Sequence, residues 1–364
     1  MSTRYVALIA TALALALGAS PAWAQGGPGQ AQKVGQNAVT AQNAEADADA
    51  RQNAVNGNAP VTIAGGSVFG GSSSANQAAS NAAKAVAVNA SATKQTANAT
   101  QVGGSSSCSA GCGGAGQFQA VGQNAVTKQN ADADADAKQN AVNGNAPVTI
   151  AGGNVSGGSS SANQAASNTA GAAAGNLALT SQTANATQVG GSSSCSAGCG
   201  GAGQFQAVGQ NAVTKQNAKA DADAKQNAVN ANVPVTIAGG NVLGGSSSAN
   251  QKASNTAGAA AGNLALTSQS AAATQVGGST RCSYGCGGAG QFQAVGQNAF
   301  TAQNADADAD AKQNAVNANV PVTIAGGSVF GGTSSANQWA SNTAGALSLN
   351  LAKTLQQAFA TQVG

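Results

Sequence analysis

Residues 123–140 read QNAVTKQNADADADAKQN, and closely similar stretches begin at Gln36, Gln210 and Gln297. Successive starts are 87 residues apart. Small or amide side chains alternate with charged or polar ones, and this period of two is typical of a β-strand with two different faces. All 11 acidic residues of the chain lie in these four stretches. The pattern predicts a repetitive β-architecture.

The repeat divides the chain into four homologous bodies and three connectors. The bodies span 35–103, 122–190, 209–277 and 296–364. The connectors span 104–121, 191–208 and 278–295. A period this strict indicates a tandem-repeat protein. Because 87 residues are many for one solenoid coil, we expect three coils of about 29 residues per repeat, twelve in all, forming a rod of about 55–60 Å.

The fold class we predict is all-β, either a tandem-repeat β-solenoid or a stacked β-rich array. In the second body the alternation places residues such as Ala125 and Ala131 on one face and Lys128 on the other. A later segment alternates in the same way, and its Ala and amide face can close against the first. Buried glutamines are tolerable only if they stack into ladders. The residues predicted to form one such ladder are Gln36, Gln123, Gln210 and Gln297.

Composition restricts the classes of function. Charged residues are 7% and aromatic residues 3% of the chain, against roughly 25% charged in an average domain. Too few large apolar residues remain for a conventional core, so a disordered glycine-rich spacer is the alternative to a thin, laddered fold. The weak net charge of +3 argues against nucleic-acid binding.

Residues 1–24 have the features of a signal peptide, with Arg4 before an apolar run and Ala22-Trp23-Ala24 as the cleavage motif. Residues 25–34 form a short leader. No later apolar run approaches the roughly 18–20 residues needed to span a bilayer. We therefore predict a protein without a transmembrane segment that is secreted or held at a cell surface.

Each connector carries one C-x-x-x-C pair. The pairs are Cys108–Cys112, Cys195–Cys199 and Cys282–Cys286. Export favours disulfides, and we predict the local pairing within each motif. Intermolecular cross-linking is the alternative, and a zinc site is disfavoured because the chain has no His.

The alternating acidic runs place three carboxylates on one strand face. The candidate calcium ligands are Asp132, Asp134, Asp136, Asp306, Asp308 and Asp310. Because no calcium-binding loop accompanies them and lysines flank them, we prefer a solvated face that keeps the sheet soluble. No cofactor other than a possible Ca²⁺ is indicated. We expect no enzyme, since nucleophile–base pairs have no His to use and every Cys lies in a connector.

The fourth body ends in a more apolar segment, with Trp339 and then Leu347, Leu349, Leu351, Leu355 and Phe359. Terminal repeats are often atypical because they cap a stack. We expect a cap here, with a docking or nucleation surface for another chain as the alternative.

The tandem units, rich in Gln, Asn, Ala and Gly and preceded by a signal peptide, resemble bacterial secreted functional amyloids of the curli-subunit kind. The resembling positions are Gln119, Gly122, Asn124, Gln129 and Asn130. The run NVPVTIAGG at 319–327 resembles segments of chaplins, which are surface amyloids. The resemblance implies an extracellular fibre, surface coat or biofilm matrix, built by self-association and open to other matrix components. A calcium-dependent adhesin is the alternative function.

Overall fold

The computed structural model describes residues 22–25, 30–103, 106–108, 116–190, 193–195, 203–277, 280–282 and 290–363. All regular secondary structure in these residues is β-strand, which confirms the all-β, tandem-repeat prediction. No helix in the described ranges is long and apolar enough to cross a membrane.

Every repeat contains two long strands. The first, which we call the opening strand, has 29 residues, and the second, the closing strand, has 31. The opening strands are β2 (Gln30–Asn58), β7 (Gln117–Asn145), β12 (Gln204–Asn232) and β17 (Gln291–Asn319). The closing strands are β5 (Ser72–Val102), β10 (Ser159–Val189), β15 (Ser246–Val276) and β20 (Thr333–Val363).

Short strands occur in two places: in the reversal between the opening and closing strands of each repeat, and in the connectors. The reversal contains β3 (Val61–Ala64), β8 (Val148–Ala151), β13 (Val235–Ala238) and β18 (Val322–Ala325). It also contains β4 (Val68–Phe69), β9 (Val155–Ser156), β14 (Val242–Leu243) and β19 (Val329–Phe330). The connectors contribute β6 (Ser106–Cys108), β11 (Ser193–Cys195) and β16 (Thr280–Cys282), and the first strand of the chain is β1 (Ala22–Gln25).

Each strand except β1 pairs in parallel with its counterpart in a neighbouring repeat, in register. Gln36 pairs with Gln123, and Gln123 with Gln210, so the partner always lies 87 residues away. Each repeat is therefore one layer of the stack. We call these layers rungs 1 to 4, spanning 30–103, 116–190, 203–277 and 290–363.

The expectation of three coils per repeat is wrong. The alternation in each long strand continues without an internal turn, so two strands and one reversal use up the repeat. Four rungs at about 4.8 Å give a stack only about 19 Å thick, while a 31-residue strand spans about 100 Å. The unit is a thin plate and not a rod.

The core lies between the opening and closing sheets and consists of small side chains. Ala131 and Ala133 of β7 pack in one cluster with Ala170 and Ala172 of β10. The largest fully buried side chains in the described chain are Gln and Asn. As the sequence predicts, the Ala and amide faces of the two long strands close on each other.

Glycines make the reversal possible. Gly157 has a φ of 70°, a left-handed conformation that side chains disfavour. A Cβ added at Gly152 would lie 2.5 Å from the carbonyl oxygen of Gly65 in the rung below. Neither the turn nor the close approach of the rungs accommodates a larger residue.

The strand β1 pairs with the outer edge of β5, with Ala22 opposite Ala99 and Gln25 opposite Val102. The predicted signal-peptide cleavage point after Ala24 falls within this strand. Removal of residues 1–24 would take most of β1 away from the rung 1 edge.

Paired spin labels test the one-rung repeat. In a variant with all six cysteines replaced by Ser, Thr187→Cys with Thr274→Cys places labels on neighbouring rungs, about 5 Å apart at the backbone. We expect strong dipolar broadening of the electron paramagnetic resonance spectrum.

The matched control is Asn185→Cys with Ser156→Cys, 29 positions apart in sequence. In the one-rung repeat Ser156 ends β9, just before β10 begins at Ser159, and Asn185 lies near the far end of β10, so the labels are roughly 80–90 Å apart. Strong broadening in this pair, with weaker broadening in the first because its labels would then be three layers or about 14 Å apart, would restore the 29-residue coil.

Candidate functional site

The four glutamines predicted to form a ladder lie in one column on the core face of the opening sheet. Nε2 of Gln123 donates to Oε1 of Gln36 at 3.0 Å, and Nε2 of Gln210 donates to Oε1 of Gln123 at 2.8 Å. Nε2 of Gln297 continues the column to Gln210 at 2.8 Å. The column joins all four rungs through side chains.

Each of these amides also bonds across the core. Nε2 of Gln123 donates to the backbone oxygen of Thr183 on β10 at 3.0 Å, and Gln210 donates likewise to Ser270 at 3.0 Å. One amide hydrogen serves the ladder and the other binds the opposite sheet. The two bonds offset the cost of burying a polar side chain between sheets.

Many more ladders exist than the one predicted. On the opening strands of rungs 2 and 3 the donors include Gln119, Gln129, Gln139, Asn143 and Asn145, and Gln206, Gln216, Gln226, Asn230 and Asn232. On the closing strands they include Gln164, Asn168, Asn176, Gln182 and Gln188. The signal for them was present in the sequence, since each is an amide at a core-facing position that recurs every 87 residues.

The ladders are open at rung 1. Within the described chain, Nε2 of Gln101 and Oδ1 of Asn89 are buried without a hydrogen-bond partner. Oε1 of Gln101 accepts from Gln188, and Nδ2 of Asn89 donates to Asn176. Each of these amides therefore has a ladder bond only on the side that faces rung 2.

Rung 4 carries the opposite ends of the same two columns. Nε2 of Gln362 donates to Gln275, and Oδ1 of Asn350 accepts from Asn263. In the described residues no rung lies beyond the Oε1 of Gln362 and the Nδ2 of Asn350. The Gln column therefore ends in a donor at rung 1 and in an acceptor at rung 4. The Asn column ends in an acceptor at rung 1 and in a donor at rung 4.

The acidic side chains lie on the outer face of the opening sheet, in columns. Asp47, Asp134, Asp221 and Asp308 are in register in four adjacent strands. Partial burial raises the pKa of Asp134 above its ordinary value of 3.8, and the neighbouring carboxylates of Asp221 and Asp47 raise it further. Burial and then Asp308 raise the pKa of Asp221 in the same way.

Basic side chains offset part of this repulsion. Lys138 contacts Asp136 at 2.5 Å, Lys225 contacts Asp223 at 2.5 Å, and Lys312 pairs with Asp310. The hydrogen bond from Lys225 to Asp223 raises the pKa of that ammonium group. Lys219 stands where the neighbouring rungs have Asp132 and Asp306, and it lowers the pKa of Asp134 and Asp221 against the other influences.

The candidate calcium ligands form two separate triplets. Asp132, Asp134 and Asp136 lie on β7, and Asp306, Asp308 and Asp310 lie on β17, with β12 between them. In the described ranges no group of three or more His, Cys, Asp or Glu residues is arranged to hold a metal ion.

The backbone positions of Cys108, Cys195 and Cys282 are in register at the ends of β6, β11 and β16. Their predicted partners Cys112, Cys199 and Cys286 lie outside the described residues. The local disulfide pairing therefore stays a prediction.

An aromatic column leads into the opening strands. The ring centroids of Phe118 and Phe205 are 5.1 Å apart, those of Phe205 and Phe292 are 5.0 Å apart, and both pairs are stacked. The ammonium group of Lys33 lies 5.8 Å from the Phe118 ring centroid. These rings stabilise contacts between rungs on the outer surface.

No protein-family model, curated protein or solved structure matches this chain.

Truncating one ladder residue tests the energetic role of the amides. Nε2 of Gln216 donates to Gln129 and to the Leu264 carbonyl, and Oε1 accepts from Gln303. Gln216→Ala leaves buried partners unsatisfied, and we expect the free energy of unfolding to fall by about 2–4 kcal/mol. Urea unfolding measures the loss.

The matched control is the next residue, Asn217, whose ladder lies on the exposed face. Water replaces its bonds, so Asn217→Ala should cost less than about 1 kcal/mol. Equal losses in the two variants would contradict a special role for the buried amides.

The acidic column predicts a pH dependence. A raised folded-state pKa means that folding favours the protonated carboxyl, so stability falls as pH rises from the ordinary value of 3.8 through the raised value. Replacing Asp134 and Asp221 by Asn should therefore raise the urea midpoint at pH 7, and the gain should vanish below pH 3.8.

Asp136→Asn is the control, because it removes the ion pair with Lys138 and relieves less repulsion. It should not raise the midpoint. A gain in the double Asn variant that persists unchanged at low pH would contradict the electrostatic explanation.

Proposed function

We propose that this chain is an exported structural protein that self-assembles by end-on stacking into an extracellular fibre, surface coat or biofilm matrix. The observation that carries the proposal is the pair of open edges. Among the described residues, the long parallel strands β17 and β20 at one end and β2 at the other have a neighbour on only one side, and β5 has only the four-residue β1 on its outer side.

Soluble proteins usually protect such edges, because unpaired N–H and C=O groups bind other chains. In the described residues no strand lies beyond β17 or β20, and only the four residues of β1 lie beyond β5. Removal of the predicted signal peptide would uncover the end of β5 as well. Long exposed edges of this kind favour addition of further copies.

The ladder ends support the same arrangement. If rung 1 of a second copy is placed on rung 4, the Nε2 of Gln101 finds the Oε1 of Gln362. The Oδ1 of Asn89 likewise finds the Nδ2 of Asn350. Because this contact joins two different surfaces and does not close on itself, it generates an open filament.

The alternatives have less support. A disordered spacer does not fit a chain whose described residues form in-register strands with paired amides. A calcium-dependent adhesin would bind the cation through the acidic columns. The last Asp of each acidic run, however, forms an ion pair with a Lys or Arg two residues later in the same strand. The proposal assigns no catalytic role and no cofactor. Its partners are other copies of the chain and other components of the matrix.

The test uses mature protein, residues 25–364, examined by electron microscopy and fibre diffraction. We expect filaments with a reflection near 4.8 Å. Failure of the mature protein to form filaments would contradict the proposal.

A proline variant tests the end-on route. The N–H of Gly277 donates upward to Val363, and the N–H of Thr333 donates downward to Gly245. Because N–H directions alternate along a strand, the N–H groups of even-numbered residues in β20 point to the open edge. Ala346→Pro with Ala358→Pro should therefore block growth and keep the fold, whereas the control Ala346→Ser with Ala358→Ser should form filaments as the wild type does. Normal filaments from the proline variant would rule out this route.

A further inference from the structure

The outward side chains of β5, β10, β15 and β20 form a second broad surface, which we call the closing face. It differs in charge from the outer face of the opening sheet, which holds all 11 acidic residues. The charged residues of the closing face are Lys84, Lys94, Lys252 and Lys353. The rest of this face is small, hydroxylated, amide or apolar.

The closing face exposes an apolar patch across all four rungs. Val86 is 60% exposed, Leu179 and Leu266 are each 40% exposed, and Leu349 is 61% exposed. Its other large apolar members are Val88, Leu177, Leu264, Leu347, Leu351, Leu355 and Phe359. Large exposed apolar patches of soluble proteins mark interaction sites.

The face is large enough for a stable interface. A strand of 31 residues at about 3.3 Å each and four strands at about 4.8 Å give roughly 1,900 Å². A stable protein interface needs about 800 Å² on each partner. Half of the closing face is therefore sufficient.

We propose that a second copy of this chain packs on the closing face, related by a two-fold axis that lies in the interface parallel to the strands. This operation keeps the position along the strand and reverses the order of the rungs. Rung 1 of one copy then meets rung 4 of the other, and rung 2 meets rung 3.

The apolar residues match under this operation. Val86 and Val88 of rung 1 meet Leu347 and Leu349 of rung 4 in the partner copy. Leu177 and Leu179 of rung 2 meet Leu264 and Leu266 of rung 3. The patch buries itself against its own counterpart, as a two-fold interface requires.

Large and small residues also match. Trp339 lies opposite Ala78, Lys252 opposite Ala165, and Lys84 opposite Gly345. Lys353 lies opposite Ala92. Lys94 lies opposite Leu355, where the lysine stem can cover the leucine. No lysine meets another lysine, so the operation brings no like charges together.

The placement of the lysines fits the rim of such an interface. Lys84 and Lys94 lie in rung 1 and Lys353 lies in rung 4, so their ammonium groups can reach water while their stems cover apolar surface. Lys252, in rung 3, has its ammonium group 4.5 Å from the ring centroid of Trp339. The central rungs 2 and 3 hold Leu177, Leu179, Leu264 and Leu266 of the face.

Paired closing faces give the fourth body's apolar tail a specific role. Leu347, Leu349 and Leu351 point outward from β20 and do not lie over the open edge of the stack. They pack against Val86, Val88 and Ala90 in rung 1 of the partner copy. This interface is independent of the end-on contact, and in a filament it joins two stacks of opposite polarity.

The experiment uses mature full-length protein in the background of Ala346→Pro with Ala358→Pro, which stops end-on growth and leaves the closing face unchanged. Sedimentation velocity should then show a two-copy particle. Adding Leu179→Lys and Leu266→Lys places like charges opposite each other across the interface, and we expect the dissociation constant to rise at least about 100-fold. Circular dichroism verifies that the strands persist.

Two further variants make the result specific. Val126→Lys with Val213→Lys adds the same charge to the outer face of the opening sheet and should leave the two-copy particle intact. Leu179→Lys with Leu266→Glu places opposite charges across the interface and should restore pairing.

A single-copy mass before any Lys is added, or an unchanged dissociation constant in the double Lys variant, would overturn the proposal. So would binding of neutral phosphatidylcholine vesicles by a single-copy protein through the same leucines, because the occupant would then be lipid. Single, unpaired filaments from wild-type protein would overturn the pairing and leave the proposed function standing. Two-copy particles from wild-type protein that never form filaments would overturn the proposed function and leave the pairing of closing faces standing.

Discussion

The hydrogen bond between identical amides on neighbouring rungs is the interaction on which the rest of the structure depends. It requires the same residue at the same place in every rung, and the chain meets this condition by repeating itself every 87 residues. The bond is directional and short, and a shift of one residue between rungs would move the core-facing amides to the outer face of the sheet. The ladders therefore fix the register that backbone bonds alone would leave free to slip.

Small residues make this arrangement possible. Alanines such as Ala131 and Ala170 let the two sheets approach closely, and the amide of Gln123 can then reach the carbonyl of Thr183 across the core. A core of Leu and Phe would hold the sheets further apart and break these bonds. Most large apolar residues are consequently exposed, on the closing face, in the reversal and on the outer face of the opening sheet, where they are available to other copies.

Much of this fold follows from the sequence. The period of two correctly separates the core-facing Gln123 and Ala125 from the outward Asn124 and Lys128, because strand geometry allows no other reading of a strict alternation. The all-β class and the closing of two Ala and amide faces follow for the same reason.

The number of rungs per repeat did not follow from the sequence. Alternation states which face a residue occupies, but not which residue lies beside it, and the 29-residue coil came from assuming that a repeat of this length must fold back. The open ends at Gln101 and Asn89 could not be seen either, because they depend on which atoms of a ladder have a neighbour.

The rise per subunit in a filament, measured by cryo-electron microscopy with helical reconstruction, tests the one-rung repeat most directly. Four rungs of about 4.8 Å predict a rise of about 19 Å for each chain, with amide density continuous from rung to rung. A rise near 58 Å, as twelve shorter coils would give, would contradict the one-rung repeat and with it the amide ladders that join residues 87 apart.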